Sequence, residues 1–485
     1  MEKKIIWLLF MVLWLPMEVI SQDFDFGTGL LPDDGTYDLQ PRKAQLITRD
    51  YTILPQKYSL KKYCPKVKSQ AQYGTCTSWA TAYAARTIAE AISKGWDSQE
   101  HITREAFSPI FVYAQIKSPG DYNCKKGSRI SDAMSLLKSR GVSKYNQFNV
   151  LCADRVSNDL LASAALHKID NYFTLFSINC KSYQEKINKT KKAICEDCPV
   201  VIAMHLPLSF HNAGNVWSGT DVDPSKHGYH AMCVIGYDDN MMGGAFEVMN
   251  SWGEGWGNHG FVWVRYSDYH KYVDQAYEMY VKKEIPFPRP EPQPDPRPQP
   301  QPVPKPTPKY KMSGEIEFIL STGEKMSPIL QSGNDLSSYT IAGDYISGTR
   351  YRIYITNNEP AYVYVIGSDL KNNVCKVFPP DNTISPALTY KHSHIAIPDE
   401  KWFVEMDDNV GTDYMCVLYS AKELDIQAVI SSIKTGTGNF NEKVKRALGD
   451  KMVPTPSIQF GDKTVSFQTE TNHTIVPLIV SLSHK

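Results

Sequence analysis

Between Pro286 and Lys309 proline recurs at nearly every second residue, interleaved with Arg, Glu, Gln and Asp. Such a stretch lacks the backbone donors that a helix or a sheet ladder needs. Its fixed φ favours extended polyproline II at about 3.1 Å per residue. No packed element can run through it, so the chain reads as two separately folded halves. The run is a semi-rigid spacer, on the order of 70 Å long when fully extended. A ligand for proline-binding domains is the other reading of this composition; a spacer is the expectation. A length of 485 residues agrees with two or three domains.

Residues 1–21 combine Lys3 and Lys4, the apolar run Ile5–Pro16 and a permissive end at Val19-Ile20-Ser21. This is the pattern of a secretory signal that is removed from the mature chain. The run is short for a membrane span, and no later stretch is long and apolar enough for one. The chain is therefore expected to be exported (periplasmic, cell surface or secreted), with no integral span after cleavage. Residues 22–52 are polar, carry Gly27, Gly29 and Asp33-Asp34-Gly35, and read as a flexible lead or a short pro-segment. Lys plus Arg number 52, as do Asp plus Glu, and no basic face or nucleic-acid motif is present. Nucleic acid is excluded as an expected partner.

Three segments of the first half carry chemistry. Gly74-Thr75-Cys76-Thr77-Ser78-Trp79 places a cysteine at the start of a helical pattern, with Ala80, Ala84, Ile88 and Ile92 at i, i+4 spacing and Gly95 as C-cap. A thiol at a helix N-terminus is biased toward thiolate, the nucleophilic form. Gln70, six residues earlier, is a neutral donor within reach of the same pocket. Gly228–Tyr237 reads as a buried strand ended by Gly236 and the Asp238-Asp239-Asn240 turn, with His230 on it. Val248–Gly257 reads as a strand that ends at Asn250 and opens into a loop rich in Gly and Trp. Read singly, Cys76 is a small buried hydrophobe or a disulfide half, His230 a core histidine, Asn250 a turn residue and Gln70 a loop side chain.

Taken together, in this order and with about 150 residues between Cys76 and His230, the segments resemble the papain-like cysteine peptidases over residues 53–285. The matching pieces are Gln70-x5-Cys76 with Gly74, His230-Ala231 leading to Gly236-Tyr237, and Asn250-Ser251-Trp252-Gly253-x-Gly255-Trp256-Gly257. The resemblance implies an α+β fold of two lobes, one helical and one an antiparallel β-barrel-like sheet. It also implies Cys76 as nucleophile, His230 as general acid and base, and Asn250 orienting the imidazole. Gln70 and the Cys76 N–H would form the oxyanion hole, and Trp252 would cover the His–Asn hydrogen bond. Gly127, Ala231 and Trp252 are the expected substrate-binding positions. Protein or peptide substrates are implied, with no cofactor and no metal. His205, His211, His227 and His259 lack the His230 context and are ranked as exposed or structural, His211 as a pocket-rim residue.

The chain departs from the family at Tyr73, where many members carry a cysteine, and at Thr77-Ser78, which separate Cys76 from Trp79. The disulfide beside the active site is therefore expected to be absent or rebuilt. Cys124-Lys125-Lys126-Gly127 resembles the family's Cys-x-Gly-Gly segment with Lys126 in place of a glycine, read as a solvated lysine. Cys64, Cys124, Cys152, Cys180, Cys195, Cys198 and Cys233 remain beside Cys76, so at least one stays free, with Cys233 the candidate. Cys195-x-x-Cys198 has no second pair at metal spacing and reads as a disulfide end or local bridge. Cys375 and Cys416 pair or both stay reduced.

Residues 310–485 form a second, β-rich α+β domain. Tyr351–Ile355 and Ala361–Val365 alternate like strands, Leu424–Ile433 and Glu442–Leu448 read as helices, and Ser457–Thr469 and Thr474–Ser483 as closing strands. It resembles a domain of unknown function attached to bacterial peptidases and other exported proteins, on Pro360–Val365 and Asp407–Tyr414. Binding to a surface or a protein partner is the role expected of it. Asp407–Asp413 lacks EF-hand spacing and reads as a polar turn. The competing readings of the whole are a non-catalytic binding protein on a papain-like scaffold, and an acyltransferase or amidase using the same thiolate.

Overall fold

A computed structural model describes residues 26–32, 35–219, 228–283, 309–331, 337–369, 373–390 and 393–485. The leader at 1–21, residues 286–308 of the proline-rich run and His227 lie outside these. The alanine-rich pattern after Cys76 folds as one helical run, 76–94: Cys76–Ser78, a widened π-type stretch Trp79–Arg86, then Thr87–Lys94. Gly95 closes it in the left-handed conformation at φ 65°, its N–H donating to the carbonyls of Ala91 and Ile92. Small alanines let the run lie buried all round, against Pro109–Ile116 and Ile130–Ser139 on one side and the sheet on the other.

The sheet of this half runs Asn171–Thr174, Val273–Tyr280, Val200–Leu206, Gly228–Asp238, Ala245–Met249, Phe261–Arg265, Val216–Trp217. All pairings along it are antiparallel except that of Val216–Trp217 with Phe261–Arg265. Among the described residues it is an open path and does not close into a barrel. The strand Gly228–Asp238 is buried from His230 to Tyr237 because both faces are covered, by the helical run 76–94 and by the helix Tyr183–Cys195. It pairs with Val200–Leu206 over its first part, then with Ala245–Met249 past a register shift at Val234/Gly236, and its far end takes Lys57–Ser59. That hand-over sets His230 beside the start of the cysteine helix and Asn250 just beyond the next strand.

The second half is a sandwich with helices on one outer face. One sheet orders Pro328–Leu330, Ser337–Tyr345, Ile475–His484, Gly411–Ser420, Ala361–Ser368, Val374–Phe378. The other orders Ser393–Ile397, Arg350–Asn357, Tyr310–Leu320, Val465–Thr471, Gln459–Phe460. Alternate residues such as Ile353, Ile355, Val363, Val365, Val417 and Leu478 meet between the sheets. The opposite face of the first sheet, with Ile366, Cys416, Leu418 and Ile479, is covered by Ile426–Thr435 and Phe440–Leu448. Both helices start where their caps place them. Asp425 accepts the Ala428 N–H, and Asn439 forms a reciprocal capping box with Glu442. No helix of the described residues is long and apolar enough to cross a membrane.

Candidate active site

Cys76 is the first residue of its helix and has no exposed surface. Gly74, two residues earlier, passes so close to the next segment that a Cβ there would sit 2.8 Å from the Lys125 carbonyl oxygen; its N–H donates to Cys124 O at 2.7 Å. This contact presses the turn before the cysteine onto the loop ending at Gly127. Gly127 has φ 82° and donates its N–H to the Tyr113 hydroxyl, which in turn donates to Asp121. Lys126 is exposed.

The His230 Nε2 lies 2.8 Å from Asn250 Oδ1, while its Nδ1 and the Asn250 Nδ2 are buried without a hydrogen-bond partner. The Trp252 ring packs against the imidazole, centroids 4.7 Å apart, with His211 stacked on the indole at 5.1 Å. Ser251 ties these loops together. Ser251 donates its hydroxyl to Gln70 Oε1 at 2.5 Å and its N–H to Asn250 Oδ1 at 2.7 Å, and the Gln70 N–H donates to Ser251 O at 2.8 Å. Ser251 thereby fixes which end of the Gln70 amide is the donor. Its signal in the sequence is its place between Asn250 and Trp252 in the Asn-Ser-Trp segment.

The ionisation of the pair is set by burial. Desolvation pushes the Cys76 thiol up, opposed by backbone hydrogen bonds from Ala231, Gly29 and Thr77 and by the Thr77 side chain. His230 is pushed down to about 4, again by desolvation first, with the Asn250 hydrogen bond working the other way and His211 adding to the fall. In this covered state the thiol and the imidazole are both neutral. Among the described residues no hydrogen bond joins them, since His230 Nδ1 has no partner.

The cover is the chain's own N-terminal segment, ordered against the site where the composition of residues 22–52 predicts a flexible lead or a short pro-segment. Phe26 stacks on Trp252 with centroids 4.7 Å apart, and the Gly27 carbonyl accepts from Gln70 Nε2 at 2.8 Å and Trp252 Nε1 at 3.2 Å. Ser128 N–H donates to Gly29 O, and Leu31 N–H to Ser128 O, in a parallel bridge. Glycine is required at position 29 because a Cβ there would lie 2.0 Å from Gly74 O. Gly127 thus faces the covering segment, Ala231 lies buried next to His230 on the same strand, and Trp252 lies between Phe26 and His230.

Among the described residues Cys124–Cys152 is the disulfide, and Cys195, Cys198, Cys375 and Cys416 are free, as is the buried Cys233. The bridge expected at Cys195-x-x-Cys198 is not formed. Cys195 Sγ instead lies 2.9 Å from the Tyr237 hydroxyl, and Cys198 is buried at the start of the return to Val200–Leu206. His205 pairs with Asp274 and Tyr229, away from Cys76, and His259 is a left-handed turn residue at φ 53°.

Residues 54–281 match the profile of the papain family cysteine proteases, and residues 344–423 that of a domain of unknown function (DUF4384). An uncharacterized peptidase C1-like protein, L477 of Acanthamoeba polyphaga mimivirus, is 25% identical over 268 residues, 53% of this chain and 76% of that protein. Xylellain, a cysteine protease from Xylella fastidiosa, is similar in structure with a TM-score of 0.44 at 21% identity, covering 53% of this chain and 97% of that one. The bromelain protease of Ananas comosus, solved with the E64 inhibitor, gives 0.38 at 20% identity over 47% of this chain and 100% of its own.

Proposed function

Residues 54–281 belong to the papain family and form a cysteine peptidase domain, and from that premise we propose that Cys76 is the nucleophile of a peptide-bond hydrolase. His230 Nδ1 takes the thiol proton, the thiolate adds to the scissile carbonyl, and the oxyanion is held by the Gln70 amide and the Cys76 N–H. His230 then gives its proton to the leaving amine, which departs as the thioester acyl-enzyme forms. For deacylation it takes a proton from water, which attacks the thioester and frees Cys76. Asn250 holds the ring plane through Nε2, and Trp252 shields that hydrogen bond. Gly127, Ala231 and Trp252 face the space that the substrate takes.

The observation that carries this reading is the buried, unpartnered His230 Nδ1, whose other nitrogen is already engaged by Asn250 at 2.8 Å, in a pocket where Gln70 Nε2 already donates to a peptide carbonyl. The covered chain is latent in this reading. Uncovering admits water, lifts the desolvation of both groups and lets thiolate and imidazolium form. The chain is exported after loss of residues 1–21, the proline-rich run tethers the halves, and the second half engages a surface or a protein partner.

The test uses the Gly29→Ala chain, in which the added Cβ keeps residues 26–31 from seating. An epoxysuccinyl peptide near neutral pH should label Cys76 alone, located by mass spectrometry, and peptide hydrolysis should accompany it. Cys76→Ala should lose both, and His230→Ala should slow labelling by about 10²–10⁴-fold. Equal labelling of several cysteines, or full-rate labelling without His230, would overturn the assignment.

A further inference from the structure

Residues 41–50 belong to both halves of the molecule. Thr174, at the end of the edge strand of the peptidase sheet, donates its N–H to Pro41 O at 2.9 Å. On the other side Arg42 donates its N–H to Thr383 O at 2.7 Å and accepts from Ser385 N–H at 2.7 Å. One dipeptide thus extends the peptidase sheet and joins the second half. Lys43 is buried in an ion pair with Glu278 of the peptidase, and its ammonium lies 4.2 Å from the centroid of the Tyr390 ring in the second half. Leu46 bridges Ile395 on an edge strand of the sandwich and is buried in the sandwich core. Asp50 accepts the His394 N–H at 2.5 Å, and Thr48 gives its N–H and hydroxyl to Glu400. Ten residues before Pro41, the same strand of chain lies in the catalytic cleft.

We propose that the C-terminal sandwich is the latch that keeps the cleft covered, so that opening the cleft and undocking the sandwich are one coupled event. The proposal rests on the assignment of the covered cleft as the peptidase site and concerns its regulation. Residues 26–31 hold the cleft by a handful of hydrogen bonds and one ring stack, against the entropy of ordering each residue. Tyr37, buried on Ala276, and Gln40, bonded to Tyr172, connect the cleft-binding end to residues 41–50, so fixing that stretch in the seam adds to its local concentration at the cleft. The dependence runs both ways. If the segment leaves, Glu278 keeps a buried charge without its lysine, and the Ser393–Ile397 edge loses its partner, so the halves no longer fit. Coupling between two binding events is reciprocal by thermodynamic necessity. A surface or partner that draws the sandwich away therefore uncovers Cys76 without any bond being cut.

The full chain is compared with Lys43→Met by hydrogen exchange and by iodoacetamide labelling of Cys76. Neither readout involves peptide hydrolysis, so a chain that never hydrolyses a peptide yet shows the coupling sinks the peptidase reading alone. Exchange of the Ser128 amide and labelling of Cys76 should both rise about tenfold, in step with faster exchange across residues 383–396. Strands Val200–Leu206 and Gly411–Ser420 should stay protected. Faster exchange at 383–396 with unchanged cleft readouts would overturn the proposal. Where Lys43→Met loses the control strands, Glu400→Ala weakens the same seam from an exposed position, and both readouts must still rise together. Gly29→Ala supplies the reciprocal arm. It frees the cleft end, and unchanged exchange at 383–396 in that chain would equally overturn the coupling.

Discussion

Two buried asparagines separate the halves of this molecule. In the sandwich, the Asn357 side-chain amide donates to the carbonyls of Glu359, Leu388 and Tyr390, at 3.0, 3.0 and 2.7 Å. Every donor it has is used, and it ties one strand to the loop beside it. In the peptidase, Asn250 gives its oxygen to His230 and Ser251 but leaves Nδ2 without a partner, next to a His230 Nδ1 that is equally unengaged. Buried polar groups are normally satisfied, because an unpaired one keeps its full desolvation cost. The sandwich follows that rule at its asparagine. The peptidase departs from it at His230 and Asn250, the pair proposed to keep an atom in reserve for an incoming proton. At these two positions the same residue type is fully engaged in one half and partly unengaged in the other.

The comparison breaks first at the cleft. Gln70→Ala in the Gly29→Ala background should lower peptide hydrolysis by about 10²–10³-fold once each rate is divided by the iodoacetamide labelling rate of Cys76. Alkylation needs access but no oxyanion donor, so the ratio separates the Gln70 amide from its hold on Gly27. A ratio that does not move would make Gln70 a clamp for the covering segment only. Acid should come next. His230 is held neutral down to about 4 in the folded chain and titrates near 6.5 when solvated. Between those values the unfolded chain takes up a proton that the folded chain refuses. Stability conferred on the peptidase half should therefore fall as pH drops from 6.5 toward 4, by about 3 kcal/mol at most. Thermal melts of His230→Gln should lose that part of the slope; parallel slopes in the two proteins would remove His230 as its source. The smallest effect belongs to the sandwich. Asn357→Ala should lower the stability of that half by about 1–3 kcal/mol, since three carbonyls lose a donor, while normalised hydrolysis stays level. A fall in normalised hydrolysis would mean that the halves share more than the seam.

Much of the fold was legible from local signals. The i, i+4 spacing of Ala80, Ala84, Ile88 and Ile92 and the stop at Gly95 describe the helical run, because both periodicity and capping act within a few residues. The two helices of the second half were placed within two residues at their starts, and Asp425 and Asn439 account for the difference by capping one turn boundary each. The antiparallel, barrel-like sheet of the β lobe was legible; that among the described residues it stays an open path, with Pro41 against its Thr174 end, depends on which edges meet and shows in no local pattern. The Cys195–Cys198 bridge failed for a similar reason, since Tyr237, 42 residues from Cys195, supplies a partner that spacing does not reveal.

The sequence by itself determined which residues could do chemistry: a cysteine opening a helix, a histidine on a buried strand, an asparagine at a strand end and a glutamine upstream. These follow from residue type and short-range pattern. Only the tertiary structure decided that Ser251 orients Gln70 across 181 residues, that Gly29 packs against Gly74 beside Cys76, and that Lys43 joins Glu278 beneath Tyr390 in the seam. Those contacts join segments far apart in the chain, where no period or cap signals the partner. The seam contacts form because both sheets present an open edge or a buried charge that the same N-terminal segment can satisfy.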